Sequence, residues 1–182
     1  MTLAVQLAAA SSGDRAAWNG LVDRFNRLVW ATARGHRLSE ADAADVVQTT
    51  WLRLVENLDR IQDPERVGAW LATTARRESL RVIAGSSKTI LTDEPADIPD
   101  ARARPDGELL VRERDQLLRR AMGAISERCR TLLRVLAAEP PPSYDEVSAA
   151  LDMPVGSIGP TRGRCLGRLR EELELLGITE TS

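Results

Sequence analysis

Apolar residues recur through this chain at spacings of three and four, and no stretch alternates apolar with polar residues as a half-buried strand would. Trp18, Leu21, Val22, Phe25, Leu28 and Val29 set the pattern. On a helix of about 3.6 residues per turn they fall on one stripe. That periodicity restricts the fold to packed helices. Composition agrees: 43% of residues are hydrophobic but only 3% aromatic, so any core must be built mostly from Leu, Val and Ala. Those residues suit helices better than a β-sandwich.

Start signals divide the periodicity into elements. Asp14 is a good N-cap for a helix running to about Gly35, and Ser39 for a second one in "SEADAADVVQTTWLRLVENL", with Asp42 near the positive end of its dipole. Asp63 caps a third, with Pro64 at the first helical position and Glu65 in the first turn. Composition then changes. Residues 85–108, "GSSKTILTDEPADIPDARARPDGE", have no periodicity and hold three prolines, six acids and three bases. That is the signature of an extended, net-negative linker. Helical patterns resume over about 109–123 and 126–138, break at "EPPP", and resume in "SYDEVSAALD". There Ser143 and Glu146 form a capping box. The expected fold is all-α: two small helical domains, residues 1–84 and 109–182, joined by a flexible linker over 85–108. Residues 1–12 suggest only a short helix packing on the first domain.

The short "DMP" turn leads from that capped helix into "PVGSIGPTRGRCLGRLR". Two short helices joined by a tight turn, the second one basic, make the helix-turn-helix pattern. On a wheel of residues 157–176, Ile158, Cys165, Leu166, Leu169, Leu173 and Leu176 share an inward face. Ser157, Thr161, Arg164 and Arg168 line another, the kind of stripe a helix presents to a DNA major groove. Gly159 and Pro160 fit a helix start if Ser157 is the N-cap. Pro160 is then the third helical residue, where no N–H is needed, and Gly159 avoids the pre-proline clash. Arg162 falls inside the apolar stripe. Either it reaches out to a phosphate or the proline shifts the register.

Other chemistries find little support. His36 is the only histidine, and no Cys/His cluster has metal-ligand spacing. No Gly-rich phosphate loop follows a strand. No catalytic residue, metal or cofactor is expected. Cys129 and Cys165 lie in apolar helical patterns and read as small buried hydrophobes in a reducing compartment. No apolar run approaches the roughly 20 residues that span a membrane, and the N-terminus lacks the basic residues of a signal peptide. A cytoplasmic protein without membrane insertion is expected. Its net charge of −2 requires any nucleic-acid site to be local.

The residues also resemble a known family. "ISERCRTLLRVLAAEPPPSYDEVSAALDMPVGSIGPTRGRCLGRLREEL" resembles the C-terminal, −35-binding domain of bacterial sigma factors of the extracytoplasmic-function (ECF) group. Residues 13–83, from "GDRAAWNGLVDRF" to "RRESLRVI", resemble their domain that binds core RNA polymerase and opens the −10 element. The resemblance implies a dissociable polymerase subunit with core RNA polymerase and promoter DNA as partners. It also allows an anti-sigma factor as a third.

Residue roles follow from that resemblance. "DAADVVQTTWLRL" matches the family's polymerase-binding helix. Val47, Trp51, Leu54 and Leu58 would face inward, and Asp45, Gln48, Thr49 and Leu52 would face the polymerase. The loop 59–65 and the helix from Val67 to Ile83 match the part that captures −10 bases. Arg60, Arg66, Arg76, Arg77 and Arg81 would supply its basic track, and Trp70 is assigned to packing. Two positions depart from the family's pattern: Arg77 stands for an asparagine and Arg81 for an aspartate, so the −10 sequence preference should differ. In the second domain Ser157, Thr161, Arg162, Arg164 and Arg168 are the −35 candidates. Thr161 stands where many members carry arginine, and Arg162 where they carry leucine. The rivals are a stand-alone helix-turn-helix regulator of the response-regulator type and a pure interaction module. The first would need an α/β receiver domain, which the helical first half does not provide.

Overall fold

A computed structural model describes residues 2–36, 38–85 and 108–178. The linker expected over 85–108 lies outside these residues except at its ends, where Gly85 closes α4 and Glu108 opens α5. The described residues form α1 (Leu3–Ser11), α2 (Arg15–Arg34), α3 (Glu40–Asn57), two 3₁₀ turns (Leu58–Arg60 and Pro64–Arg66) and α4 (Val67–Gly85). After the gap come α5 (Glu108–Ala124), α6 (Glu127–Leu136), α7 (Tyr144–Leu151) and α8 (Val155–Leu175).

The caps do what their sequence promises. The Asp14 carboxylate accepts from the N–H groups of Ala16 at 2.8 Å and Ala17 at 3.1 Å. Ser39 caps α3 and Asp63 caps the turn before α4. At α7 the box is reciprocal: Ser143 N–H donates to Glu146 Oε2 at 2.6 Å, and Glu146 N–H to Ser143 Oγ at 3.3 Å. Each satisfies donors that a helix start leaves without partners. Arg130 does the converse for α5, its guanidinium donating to the carbonyls of Met122, Gly123 and Ile125. α1 is the short helix expected, and it buries Leu3, Leu7 and Ala10 against α2.

The core begins where the periodicity placed it. Leu21, Val29, Val46, Leu54, Val67 and Leu71 are fully buried in the first set, and Leu132, Val135, Val147 and Ile158 in the second. Each contributes about 1.5–3 kcal/mol by leaving water. These residues form one continuous cluster, because α4 packs on α7 and α2 on α6. Trp18 and Trp51 meet edge to face, and the Trp51 indole donates to Asn26 Oδ1 at 3.2 Å.

Two expectations fail. Cys129 of α6 and Cys165 of α8 are joined in a disulfide across a Cα–Cα distance of 5.1 Å, not held as separate thiols. Each position was correctly expected to be buried. What the pattern could not tell is that the two buried faces meet each other.

The start of α8 also differs. The helix begins at Val155 with Pro154 as its N-cap residue, two residues before Ser157. The Ser157 hydroxyl donates back to the Pro154 carbonyl at 2.8 Å instead of capping. Pro160 is therefore the sixth helical residue, and its missing N–H removes one internal bond, to the Gly156 carbonyl. The clash that proline makes with its preceding turn is softened because Gly156 and Gly159 are the neighbours.

Candidate nucleic-acid interface

The turn between α7 and α8 sets the orientation of the basic helix. Asp152 takes the left-handed conformation, φ 55°, at the end of α7, and Met153 is buried beneath the turn. The Ser148 hydroxyl donates to the Met153 carbonyl at 2.6 Å. Asp tolerates left-handed geometry because its short side chain can bond locally. Three residues thus separate two helices, as the helix-turn-helix pattern requires.

The register of α8 then decides which side chains face outward. Ile158, Thr161 and Cys165 are buried, with Leu169 half-buried below them. Thr161 is consequently not on the outer face. Its hydroxyl accepts from the Arg164 guanidinium at 3.3 Å, so it orients that arginine from inside. Arg162 is exposed and Leu166 is 43% exposed, which moves both out of the inward stripe assigned to them. Arg164 and Arg168 are exposed on one flank with Ser157 at their head.

One feature of α8 escaped the sequence reading. Gly156, Gly159, Gly163 and Gly167 follow at i, i+3, i+7 and i+11, and a methyl group added at any of them would meet nothing within 4 Å. They lie opposite the core. The helix therefore presents a strip of bare backbone flanked by Arg164 and Arg168 on one side and Arg162 and Arg170 on the other. Glycine in a helix interior costs about 0.5–1 kcal/mol relative to alanine, and packing gives no reason to accept that here. A bare strip between guanidinium groups lets a polyanion come close to the helix axis. The spacing of Gly159, Gly163 and Gly167 is visible in the sequence, and only Gly156 falls outside a helix that starts at Ser157.

In the first set, α4 carries a second basic face. Trp70, Thr73, Thr74, Arg77 and Arg81 share one side by helical spacing. Arg60, Arg66, Arg77 and Arg81 are exposed, and Trp70 is half-buried. Glu78 holds Arg81 through both carboxylate oxygens at 2.9 and 2.7 Å, and Asp63 lies 3.8 Å from Arg66. Arg76 does not join them. It turns about a quarter of the helix away, toward α7, and pairs with Asp152 at 3.0 Å.

On α3 the outer residues Asp45, Gln48 and Leu52 are exposed and Thr49 is half-exposed. Leu52 is 56% exposed, and Val55 beside it is 53% exposed. Val55 was not anticipated, although its i+3 and i+7 positions from Leu52 and Gln48 announce it. Two adjacent open aliphatic side chains on a polar helix suit a protein contact better than either would alone.

Among the described residues, no group of three His, Cys, Asp or Glu side chains is arranged to hold a metal. Nor is any helix among them long and apolar enough to cross a membrane.

Known proteins can now be set against this geometry. Residues 21–89 match the family model for sigma-70 region 2. That segment contains both the α3 face and the basic face of α4; α5–α8 lie beyond it. CnrH, in complex with the cytosolic domain of CnrY, superposes with a TM-score of 0.59 at 23% identity, over 94% of this chain and 96% of that one. The sigma factor RpoE of Bartonella quintana, in complex with the anti-sigma factor NepR, superposes with a TM-score of 0.61 at 20% identity. Here the overlap is 86% of this chain and 96% of that one. None of the curated proteins matches the sequence at a comparable level. Residues 21–89 are therefore similar to sigma-70 region 2, within a chain that shares the all-α fold of CnrH and of the RpoE sigma factor.

Proposed function

We propose that this chain is a sigma factor of the ECF group, a dissociable RNA polymerase subunit that directs promoter recognition and transcription initiation. The observation that carries the proposal is the conjunction of a region 2 segment with a second basic helix in one chain. α8 presents Arg164 and Arg168 beside bare backbone, a form suited to a DNA groove. On this reading residues 1–84 bind core polymerase and open the −10 element, residues 109–182 bind the −35 element, and 85–108 connect them. Asp45, Gln48, Thr49, Leu52 and Val55 dock on the polymerase. Arg60, Arg66, Arg77 and Arg81 line the strand-capture face, and Arg76 stands apart from it, paired with Asp152. The chain supplies promoter choice and strand opening, and the core enzyme supplies the chemistry. It works in the cytoplasm. The complex of RpoE with NepR supports an anti-sigma factor as a further partner.

The test is reconstitution with sigma-free bacterial core polymerase. Co-elution and transcripts starting at defined sites in genomic DNA are expected. Arg164→Ala or Arg168→Ala should lower initiation about tenfold to a hundredfold at promoters that depend on a −35 element, the cost of a lost base or phosphate contact. Leu52→Glu should abolish co-elution while leaving the fold intact. A chain that binds duplex DNA but never the core enzyme would instead be a stand-alone regulator.

A further inference from the structure

Arg81 is an exposed cation on the outer face of α4, and it is held by a carboxylate that is not exposed. The Glu78 side chain, one turn earlier, is 12% exposed, against 67% for that of Arg81. Both its oxygens accept from the same nitrogen, Arg81 Nη1, at 2.9 and 2.7 Å. From the other side Arg53 of α3 brings its Nε within 3.9 Å of Glu78 Oε1. Glu78 therefore stands at the edge of the outer face, where α3 packs on α4. An i,i+3 ion pair open to water fixes little. Here the acid is wedged between two helices and cannot follow the arginine into solvent, so it sets where the guanidinium lies.

The pairing leaves a defined part of the guanidinium over. With Nη1 engaged, Nε–H and the near N–H of Nη2 still point side by side, the fork that arginine uses for bidentate contacts. Among the described residues Glu78 takes Nη1 alone. Two kinds of acceptor pair on a nucleic-acid strand fit such a fork: two oxygens of a phosphate, or two adjacent acceptors on a base edge. Glu78 discriminates between them. Its charge lies beside the fork, where it repels a phosphate and cancels most of the attraction of Arg81 for one. A neutral base edge meets no such repulsion. Among unpaired bases, guanine offers O6 beside N7, and cytosine O2 beside N3. Adenine sets an amino donor next to each acceptor of those edges, and thymine an N–H between its two carbonyls.

We propose that Glu78 is a positioning residue that turns Arg81 from a phosphate counterion into a base-reading group. Arg81 then selects, in the captured strand, a base with two adjacent acceptors, guanine or cytosine, over adenine and thymine. This rests on the reading of α4 as the strand-capture helix. It divides the work on that face: Arg60 and Arg77 attract any strand, and Arg81 chooses among bases.

The test uses the full chain and fluorescein-labelled single strands of about 15 nucleotides. One strand is all thymine, and in the others every third base is guanine, cytosine or adenine. The guanine strand, the cytosine strand or both should bind about three- to thirtyfold tighter than the thymine and adenine strands, the range of a bidentate base contact partly open to water. Replacing guanine by 7-deazaguanine, which lacks N7, tells the two sources apart: guanine readout is lost and cytosine readout is untouched. Glu78→Gln keeps the shape and removes the charge. It should erase the preference, tighten thymine-strand binding about two- to fivefold, and steepen its salt dependence by about 0.7 in log–log slope, one added phosphate contact. Arg81→Gln should erase the preference without steepening the slope. Equal binding of all strands by the wild-type chain, a preference that survives either substitution, or an unchanged salt slope in Glu78→Gln would each overturn the role of Glu78. A chain that holds none of the strands would instead remove the capture reading of α4, and this inference with it.

Discussion

Gly68 of α4 and the four glycines of α8 are the same residue put to opposite uses. Gly68 is glycine because nothing larger fits between Glu146 and Phe25. Gly156, Gly159, Gly163 and Gly167 face open space, where any side chain would fit. The difference extends to the helices themselves. α4 is gripped by α2, α3 and α7, so packing fixes its place. α8 rests on α5, α6 and α7 through one face and keeps the rest of its surface open. A helix held from several sides can position single side chains. A helix with a bare outer strip can let a large ligand approach its backbone.

The largest test of that contrast is the disulfide, which ties α8 to α6 and has no counterpart on α4. It closes a loop with a sequence separation of 36. A loop of that size restricts the unfolded chain by about 3–4 kcal/mol, less any native strain. Cys129→Ser, or reduction, should lower stability by up to about that amount in urea unfolding. Hydrogen exchange should rise first in α8 and α6, with α4 still protected. Loss of protection in α4 at the same denaturant concentration would show that the two helices do not differ as described.

Alanine at the two kinds of glycine should then move stability in opposite directions. Gly68→Ala overpacks the contact of α4 with α7 and α2, and a forced methyl in a filled site costs about 1–3 kcal/mol. Gly163→Ala removes a helix-destabilising residue at no steric cost and should stabilise by about 0.5–1 kcal/mol. The same change should weaken binding to −35 duplex DNA, because its methyl group stands in the bare strip. Thermal unfolding and fluorescence anisotropy on the same pair of variants decide the matter. Unaltered DNA affinity in Gly163→Ala would deprive the strip of its role.

The contrast also separates what could be read from the sequence from what could not. Asp14, Ser39, Asp63 and the Ser143–Glu146 box act on groups two or three residues away, so their chemistry is complete in the local sequence. The basic face of α4 and the outer face of α3 follow from helical spacing for the same reason. The contact between the two helical sets does not. Arg76 meets Asp152 and Arg27 meets Glu139 across long separations, and the stripe of Gly68, Ala72, Ala75 and Ser79 is too weakly apolar to announce a partner. The start of α8 is not legible in the sequence because Pro160 resembles a start signal, whereas the turn at Asp152 and Met153 fixes the start two residues before Ser157. The buried face of α8 is centred on Ile158, Thr161 and Cys165 and not on the leucines, which accounts for the inward Thr161 and the outward Arg162 and Leu166.

Thr161 offers a smaller effect on the same helix. Thr161→Val keeps the volume in a buried site and removes the acceptor of the Arg164 guanidinium. A hydrogen bond to a charged group is worth about 1.5–3 kcal/mol at most, and less where solvent reaches it. Stability should change little, while −35 binding should fall a few-fold through a less ordered Arg164. An unchanged affinity would mean that Arg164 finds its own place on the duplex.

The smallest expected effect concerns His36, in the turn that follows α2. Burial, and then the neighbouring Arg76, hold the His36 imidazole below its ordinary value of 6.5, with Glu127 acting weakly the other way. The unfolded chain therefore binds the proton more readily than the folded one. By linkage, this contribution to stability is intact above about pH 6.5 and is lost as pH falls toward the lower folded value. A proton on His36 also places a second cation near Arg76, with Glu127 as the acid that opposes it. Wild-type protein should thus show a falling thermal midpoint and looser protection along α4 between neutral pH and about pH 5, with α8 less affected. His36→Gln should flatten the slope over that window by removing the titrating group. An equal slope in the variant would assign the acid sensitivity to the surface carboxylates and not to His36.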